Sequence, residues 1–183
     1  VVQSRILEPV VAELRNRGIV YKGILYAGLM LTPTGPRVVE FNCRFGDPET
    51  QSILPRMDFN MVEAMNACID GTLCKEMIKW KPGNCVCVVM VAGGYPGKYD
   101  KDNPIEGIAE AEQDEDVDVF HAGTALKNGA VVTAGGRVLG VTAHGADLRE
   151  TVAKAYRAIL KIKYDGAEYR TDIAHRALKL EKE

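Results

Sequence analysis

The chain contains no apolar run approaching the length of a membrane span and no visible signal-peptide pattern, so its expected setting is cytoplasmic, away from a bilayer. It lacks an excess of charge of either sign: 23 basic residues against 25 acidic ones leave a net charge of -2. That balance gives no reason to expect nucleic acid or an anionic membrane as a partner. Phosphate-bearing small molecules stay possible, because local groups rather than net charge hold them. The five cysteines, at 43, 68, 74, 85 and 87, include no CxxC pair, which argues against a zinc knuckle or a disulfide framework. Cys85 and Cys87 fall on one face of an apolar run and read as buried thiols. Repeats and low-complexity tracts are also missing.

What is present suits two small cores better than one, given 183 residues. Ile6, Leu7, Val10, Val11 and Leu14 follow helical spacing, and Gly18 closes that segment. Residues 23–30 and 37–42 read as short strands, joined through the turn formers Thr32-Pro33-Thr34-Gly35-Pro36 into a hairpin. Helical stretches are expected around 49–56 and 60–69, the second stopping at Asp70-Gly71. Lys81-Pro82-Gly83-Asn84 marks the boundary between residues 1–83, which mix helix and hairpin, and residues 84–183, where strand signals dominate. Strands are expected at 85–92, 117–121 and 137–143, with a hairpin at 124–133 turning on Asn128-Gly129. Leu148, Val152, Ala155, Tyr156, Ile159 and Leu160 mark a helix that packs its apolar stripe on that sheet. The acidic run 110–118 reads as a solvated loop. The fold class is α+β.

The chemistry concentrates at residues 40–49. Alternation along a strand puts Glu40 and Asn42 on one face and sends Val39 and Phe41 toward the core. A carboxylate and a carboxamide oxygen at that spacing make a hard-oxygen site suited to Mg²⁺ or Mn²⁺, with phosphate oxygens and water supplying the remaining ligands. Arg44 continues the alternation or opens the loop, and offers a fork for phosphate or carboxylate. Gly46 permits a tight turn, Asp47-Pro48 ends regular structure, and Glu49 starts the next helix. Spacing by itself leaves a solvated strand face and a metal-phosphate site as open alternatives.

The run Gly23-Ile24-Leu25-Tyr26-Ala27-Gly28-Leu29-Met30, then Gly35-Pro36, then Glu40-Phe41-Asn42-Cys43-Arg44-Phe45-Gly46-Asp47-Pro48-Glu49-Thr50-Gln51, closely resembles the phosphoribosylamine–glycine ligase family of the ATP-grasp superfamily. Gly94-Tyr95-Pro96-Gly97, His121-Ala122-Gly123-Thr124, Gly135-Gly136-Arg137-Val138-Leu139 and Tyr169-Arg170-Thr171-Asp172-Ile173 resemble that family's C-terminal domain in the same order. The resemblance implies the last part of an ATP-grasp domain over 1–83 and a small β-rich C-terminal domain with a packed helix over 84–183. It implies ATP as co-substrate, Mg²⁺ or Mn²⁺ as cofactor, and glycine and 5-phosphoribosylamine as substrates, joined through a glycyl phosphate in purine biosynthesis. Glu40 and Asn42 would hold the metal, and Arg44 would steady the transferred phosphoryl group. Leu29 and Met30 would line the adenine pocket, with core packing as the alternative. Asp47, Glu49, His121 and Arg137 are the substrate-binding candidates, Arg137 for the ribose phosphate. Many ATP-grasp enzymes carry a second metal carboxylate about a dozen residues upstream of the first; here that position falls near Gly28, which has none.

The N-terminal Rossmann-like domain and the glycine-rich lid lobe of such enzymes have no counterpart here, and the sequence opens at Val1 directly in helical residues. A cut-out or processed part of the enzyme, inactive by itself, is the expectation. The alternatives are a non-catalytic split subunit that needs a partner bearing the missing lobes, another ATP-grasp carboxylate–amine ligase, or a biotin-dependent carboxylase.

Overall fold

The apolar spacing at the start of the chain does form a helix, in two parts. A computed structural model describes residues 1–180, and in it Gln3–Leu7 closes a π-helical turn, with the Glu8 N–H donating to the Gln3 carbonyl. That turn runs on into α1 (Glu8–Asn16), where Pro9 has no N–H to donate back to the preceding turn. No residue of either part is buried.

Strand β1 (Tyr26–Thr32) and strand β2 (Gly35–Asn42) pair antiparallel as a two-stranded sheet. The turn falls at Pro33-Thr34, and the Thr32 hydroxyl donates to the Gly35 carbonyl at 2.7 Å to close it. The register then slips: Leu29 faces Val38, but Gly28 faces Glu40, so Val39 is the extra, unpaired residue of a β-bulge. This corrects the expectation that Val39 and Phe41 point into a core. Val39 is 67% exposed because it sits on the bulge, and Phe41 is 39% exposed on a sheet too narrow to build a core of its own.

After Asp47 the chain leaves this unit. Helix α2 (Thr50–Ile53) and the 3₁₀ turn Leu54–Arg56 belong to the second unit, and the first resumes at Met57 and ends at Trp80. Its helix α3 (Met61–Asp70) begins on Asn60, whose side-chain oxygen accepts from the N–H groups of Val62 and Glu63. It ends at Gly71 in the left-handed conformation, as the Asp70-Gly71 pair predicts. Ala64 and Ala67 are the buried apolar residues among those described in this unit.

The second unit holds Pro48–Arg56 and the chain from Lys81 onward. Its centre is β3 (Asn84–Ala92), whose alternate residues Val86, Val88, Met90 and Ala92 are buried, as the period-two pattern requires. The acidic run is less of a loop than expected: it overlaps α4 (Ile108–Ala111) at one end and β4 (Val117–His121) at the other. Between them, Asp114 and Asp116 pair with Lys154. Strands β5 (Thr124–Lys127) and β6 (Ala130–Thr133) form the expected hairpin, with Asn128 at φ 50° and Gly129 at φ 82° in the turn. Strand β7 (Arg137–Gly145) is followed by helix α5 (Leu148–Ile159), then by β8 (Ala167–Tyr169) and α6 (His175–Leu180).

The four-stranded sheet has the order β4-β7-β3-β8 and is antiparallel throughout. Helix α5 closes one face through Ala155, Ala158 and Ile159 against Val88, Met90, Leu139 and Val141. On the other face Gln51 of α2 lies over Gly140 beside Cys87. The α+β class is as expected; β8 and α6 are additions. Among the described residues, no helix is long and apolar enough to cross a membrane.

Candidate functional site

In the first unit, β2 brings Glu40 and Asn42 together. Asn42 Nδ2 donates to Glu40 Oε1 at 2.8 Å, so the two side chains hold each other on one face of the strand. With that amide nitrogen engaged, Asn42 presents its carbonyl Oδ1 beside the Glu40 carboxylate, a pair of hard oxygen donors. The bulge places Gly28 opposite Glu40, and a β-carbon there would lie 3.0 Å from Glu40 Cγ. Glycine is what leaves the carboxylate its space. Leu29 is half-buried and Met30 is 54% exposed.

Arg44 resolves its own ambiguity: it lies in the loop after β2, is exposed, and donates from Nη1 to the Phe45 carbonyl at 2.8 Å. Gly46 is buried in that loop, and Asp47, exposed, closes the first unit. Glu49 falls in the second unit, as the residue that leads into α2. Tyr21 and Cys43 interact through their side chains, and that hydrogen bond, with burial, raises the Tyr21 phenol above its ordinary range. An apolar cavity of about 480 Å³ also lies within this unit, lined in part by Phe45, Phe59, Met61, Met65 and Trp80.

In the second unit three glycine-bearing motifs converge on Arg137. The Gly123 N–H donates to the Arg137 carbonyl at 2.8 Å, and the N–H groups of Ala134 and Gly135 both donate to the Gly123 carbonyl. A β-carbon on Gly123 would meet the Arg137 carbonyl at 2.5 Å and Gly135 Cα at 2.6 Å, so the two backbones touch only because neither residue has a side chain. Gly136 backs onto Tyr95 just as closely, and its carbonyl accepts from the Ala92 N–H at 2.8 Å. Arg137 is thereby fixed at the start of β7, opposite Val91. His121 is exposed at the end of β4, and its Nδ1 pairs with Thr124 Oγ1 at 2.9 Å within the same turn.

A cavity of about 430 Å³ opens beside Arg137. Pro48, Cys87, Val89, Val91 and Ile173 supply its apolar lining, and Glu168, Tyr169 and Arg170 its other wall. Arg170 forks onto Asp172, Nε to Oδ1 at 2.9 Å and Nη2 to Oδ2 at 2.8 Å. This pairing holds the Asp172 carboxyl below the usual carboxylate range and raises the guanidinium above its own. Arg170 and Asp172 carry no periodicity that distinguishes them from any surface ion pair, and the cavity that gives Arg170 its context appears only once β8 joins the sheet.

The five cysteines are free thiols. Burial, reinforced by Cys87 and Asp118 and opposed by Arg56, pushes the Cys85 thiol up to about 11, which suits an inert residue. No cluster of three or more His, Cys, Asp or Glu side chains suited to a metal occurs among the described residues.

The family model of the phosphoribosylglycinamide synthetase C domain matches residues 85–176, and that of the same enzyme's ATP-grasp (A) domain matches residues 1–50. The phosphoribosylamine–glycine ligase of Synechocystis is 54% identical over 97% of this chain and 42% of its own length. The trifunctional purine biosynthetic protein adenosine-3 of Homo sapiens is 47% identical over 97% of this chain and 18% of its own length. Among solved structures, the phosphoribosylamine–glycine ligase of Thermotoga maritima superposes with a TM-score of 0.76 at 35% identity, covering 88% of this chain and 39% of that one. The N5-carboxyaminoimidazole ribonucleotide synthetase of the same organism, at 18% identity and a TM-score of 0.53, shares the fold. The chain thus spans about two fifths of the length of the Synechocystis and Thermotoga maritima ligases.

Proposed function

The chain belongs to the phosphoribosylglycinamide synthetase family, and we propose that it carries the metal-binding part of an ATP-dependent ligase that joins glycine to 5-phosphoribosylamine. The observation that carries this reading is the Glu40–Asn42 pair, held together at 2.8 Å on one strand face across from Gly28. In the proposed reaction a glycine carboxylate oxygen attacks the γ-phosphorus of ATP, giving ADP and glycyl phosphate. The amine of phosphoribosylamine then attacks the acyl carbon, the C–O bond to phosphate breaks, and the nitrogen releases a proton. Glu40 and Asn42 fit Mg²⁺ or Mn²⁺, and when bound the ion neutralises charge on the ATP phosphates.

The chain's own residues position and neutralise; none serves as a nucleophile. Arg44, on the loop that follows the pair, places a guanidinium where phosphoryl charge develops. Leu29 and the exposed Met30 offer apolar contacts to adenine. Asp47 and Glu49 are suited to the amino groups of the substrates. Arg137, fixed by the glycine contacts, is suited to the ribose phosphate, and His121 to a substrate hydroxyl. Residues 1–83 are assigned to the ATP-grasp domain and 84–183 to the C-terminal domain. The partner is the remainder of such an enzyme, its N-terminal and lid lobes. A non-catalytic subunit that needs a partner bearing the missing lobes is the second reading; the apolar side chains that the first unit exposes, among them Val20, Leu31, Val39 and Val62, favour instead a part of a larger enzyme whose other lobes cover them.

Exchange of this chain for the matching segment of the Synechocystis relative tests the assignment. The hybrid is expected to release ADP only with glycine and phosphoribosylamine both present, and Glu40→Gln is expected to reduce that release by about a hundredfold or more. The chain by itself is expected to release none. Turnover by the isolated chain, or a Glu40→Gln hybrid as active as its parent, contradicts the proposal.

A further inference from the structure

The chain leaves the second unit after Arg56 and returns to it at Lys81, and a cavity of about 250 Å³ lies where these two residues meet the end of β7. Its lining belongs wholly to the second unit and includes Arg56, Lys81 and His144 but, among the described residues, no carboxylate. We propose that this cavity is a phosphate site, in which Arg56 and Lys81 hold a phosphate dianion, free or at the end of a small monoester, and His144 flanks it from β7. The proposal does not rest on the ligase reading.

The walls are held by the protein's own bonds. The Lys81 N–H donates to the Arg56 carbonyl at 2.8 Å, and Arg56 Nη2 donates back to the Lys81 carbonyl at 3.0 Å. This exchange fixes the guanidinium beside the Lys81 backbone. Asn84 Nδ2 donates to the Ala146 carbonyl at 2.9 Å. Gly83, at φ 97°, lies so near Gly145 that a β-carbon on it would meet the Gly145 carbonyl at 2.6 Å. Residues 55–56, 81–84 and 144–146 are thereby braced around one opening.

The charges in this cavity lack a counterpart. Arg56 is half-buried, and its Nε is shielded from solvent without a hydrogen-bond partner. Asp118 acts against it on the Cys85 thiol, yet among the described residues Arg56 forms no ion pair. A guanidinium held partly out of water without an anion is costly. Lys81 is exposed, and its ammonium has no described partner. His144 Nδ1 faces Asp116 at 3.3 Å, and that carboxylate is also engaged by Lys154, so it is not available to Arg56 or Lys81. Two cations match a dianion, whereas a carboxylate neutralises only one of them. The cavity is smaller than the range of about 300–1,000 Å³ usual for organic ligands, and its uncharged walls include two proline rings and glycine backbone. A tetrahedral oxyanion, bare or with a short ester tail, suits that space.

Titration of the 183-residue chain with inorganic phosphate, methyl phosphate and acetate at constant ionic strength, followed by ¹⁵N NMR, tests the site. The phosphates are expected to shift the amides of Gly83, Asn84 and Gly145 and to bind there at least about tenfold more tightly than acetate. Tighter binding of inorganic phosphate assigns the site to the free ion, and tighter binding of methyl phosphate to an ester. Arg56→Gln is expected to weaken binding by about tenfold or more, and Lys81→Gln by about fivefold. Lys81 is exposed and its backbone bonds to Arg56 survive the change, so Lys81→Gln decides the matter even if Arg56→Gln disturbs the fold. Phosphate that leaves these amides unmoved, acetate that matches it, or binding unchanged by Lys81→Gln overturns the proposal.

Discussion

A β-carbon on residue 28 would approach Glu40 Cγ to 3.0 Å, a distance at which one of the two side chains must give way. Glu40 Cγ would have to give by a few tenths of an ångström, which displaces the carboxylate that accepts from Asn42. Gly28→Ala is therefore expected to move the Asn42 side-chain amide resonances in the metal-free chain. It should also reduce the broadening of those resonances by added Mn²⁺ at least about threefold, the effect of a lost charge-assisted hydrogen bond. Unchanged resonances and unchanged broadening would show that Gly28 has no part in placing the carboxylate. Half of this arrangement is legible in the sequence, because the two-residue period of a strand puts Glu40 and Asn42 on one face. The other half is not: counting back from the Pro33-Thr34 turn pairs Gly28 with Val39, and only the bulge moves it to Glu40. A single unpaired residue also turned Val39 from an expected core residue into an exposed one.

Elements are readable where their period is long and their ends are marked. Helix α5 illustrates both, with an apolar stripe that repeats over three turns and Asp147 at its start. The Asp147 carboxylate accepts from the Glu150 N–H at 2.8 Å, and its carbonyl accepts from the Thr151 hydroxyl at 2.6 Å. Because α5 closes one face of the four-stranded sheet, fraying of its first turn uncovers the core. Asp147→Ala is expected to lower the unfolding free energy of the second unit by about 1 kcal/mol, the usual worth of such a cap. Urea denaturation monitored by circular dichroism checks it; Asp147→Asn, which keeps the acceptor, should recover most of the loss. Strand β8 is not legible in the sequence for the opposite reason. Three residues show no measurable alternation, and its place beside β3 is set by long-range pairing of Met90 with Tyr169 and Val91 with Glu168. The cavity that β8 walls was hidden with it.

At the scale of the whole molecule the two units differ in what holds them together. The second has a core that includes Val88, Met90, Leu139, Val141 and Ile159, each essentially inaccessible. The first buries Ala64 and Ala67 and leaves large apolar side chains such as Val20 (82%) and Leu31 (77%) in solvent. Hydrophobic burial is the main favourable term in folding, so the first unit should melt at lower denaturant. The protein's single tryptophan, Trp80, lies in the first unit, edge-on to Phe59, and reports on it alone. Tryptophan fluorescence is expected to change at a lower urea concentration than the circular dichroism of the sheet; superimposable curves would show one cooperative unit instead.

The excursion of residues 48–56 into the second unit has a further consequence for how such a protein can be inherited. Its two units do not occupy two uninterrupted stretches of a gene. A recombination event that moves the sheet of β4, β7, β3 and β8 to a new setting, with a breakpoint anywhere after Arg56, leaves behind the helix that lies over Gly140. The loop that bears Arg44 runs directly into that same stretch. A breakpoint before Pro48 instead carries Met57–Trp80 of the first unit away with the sheet, so no single cut in a gene separates the two units whole.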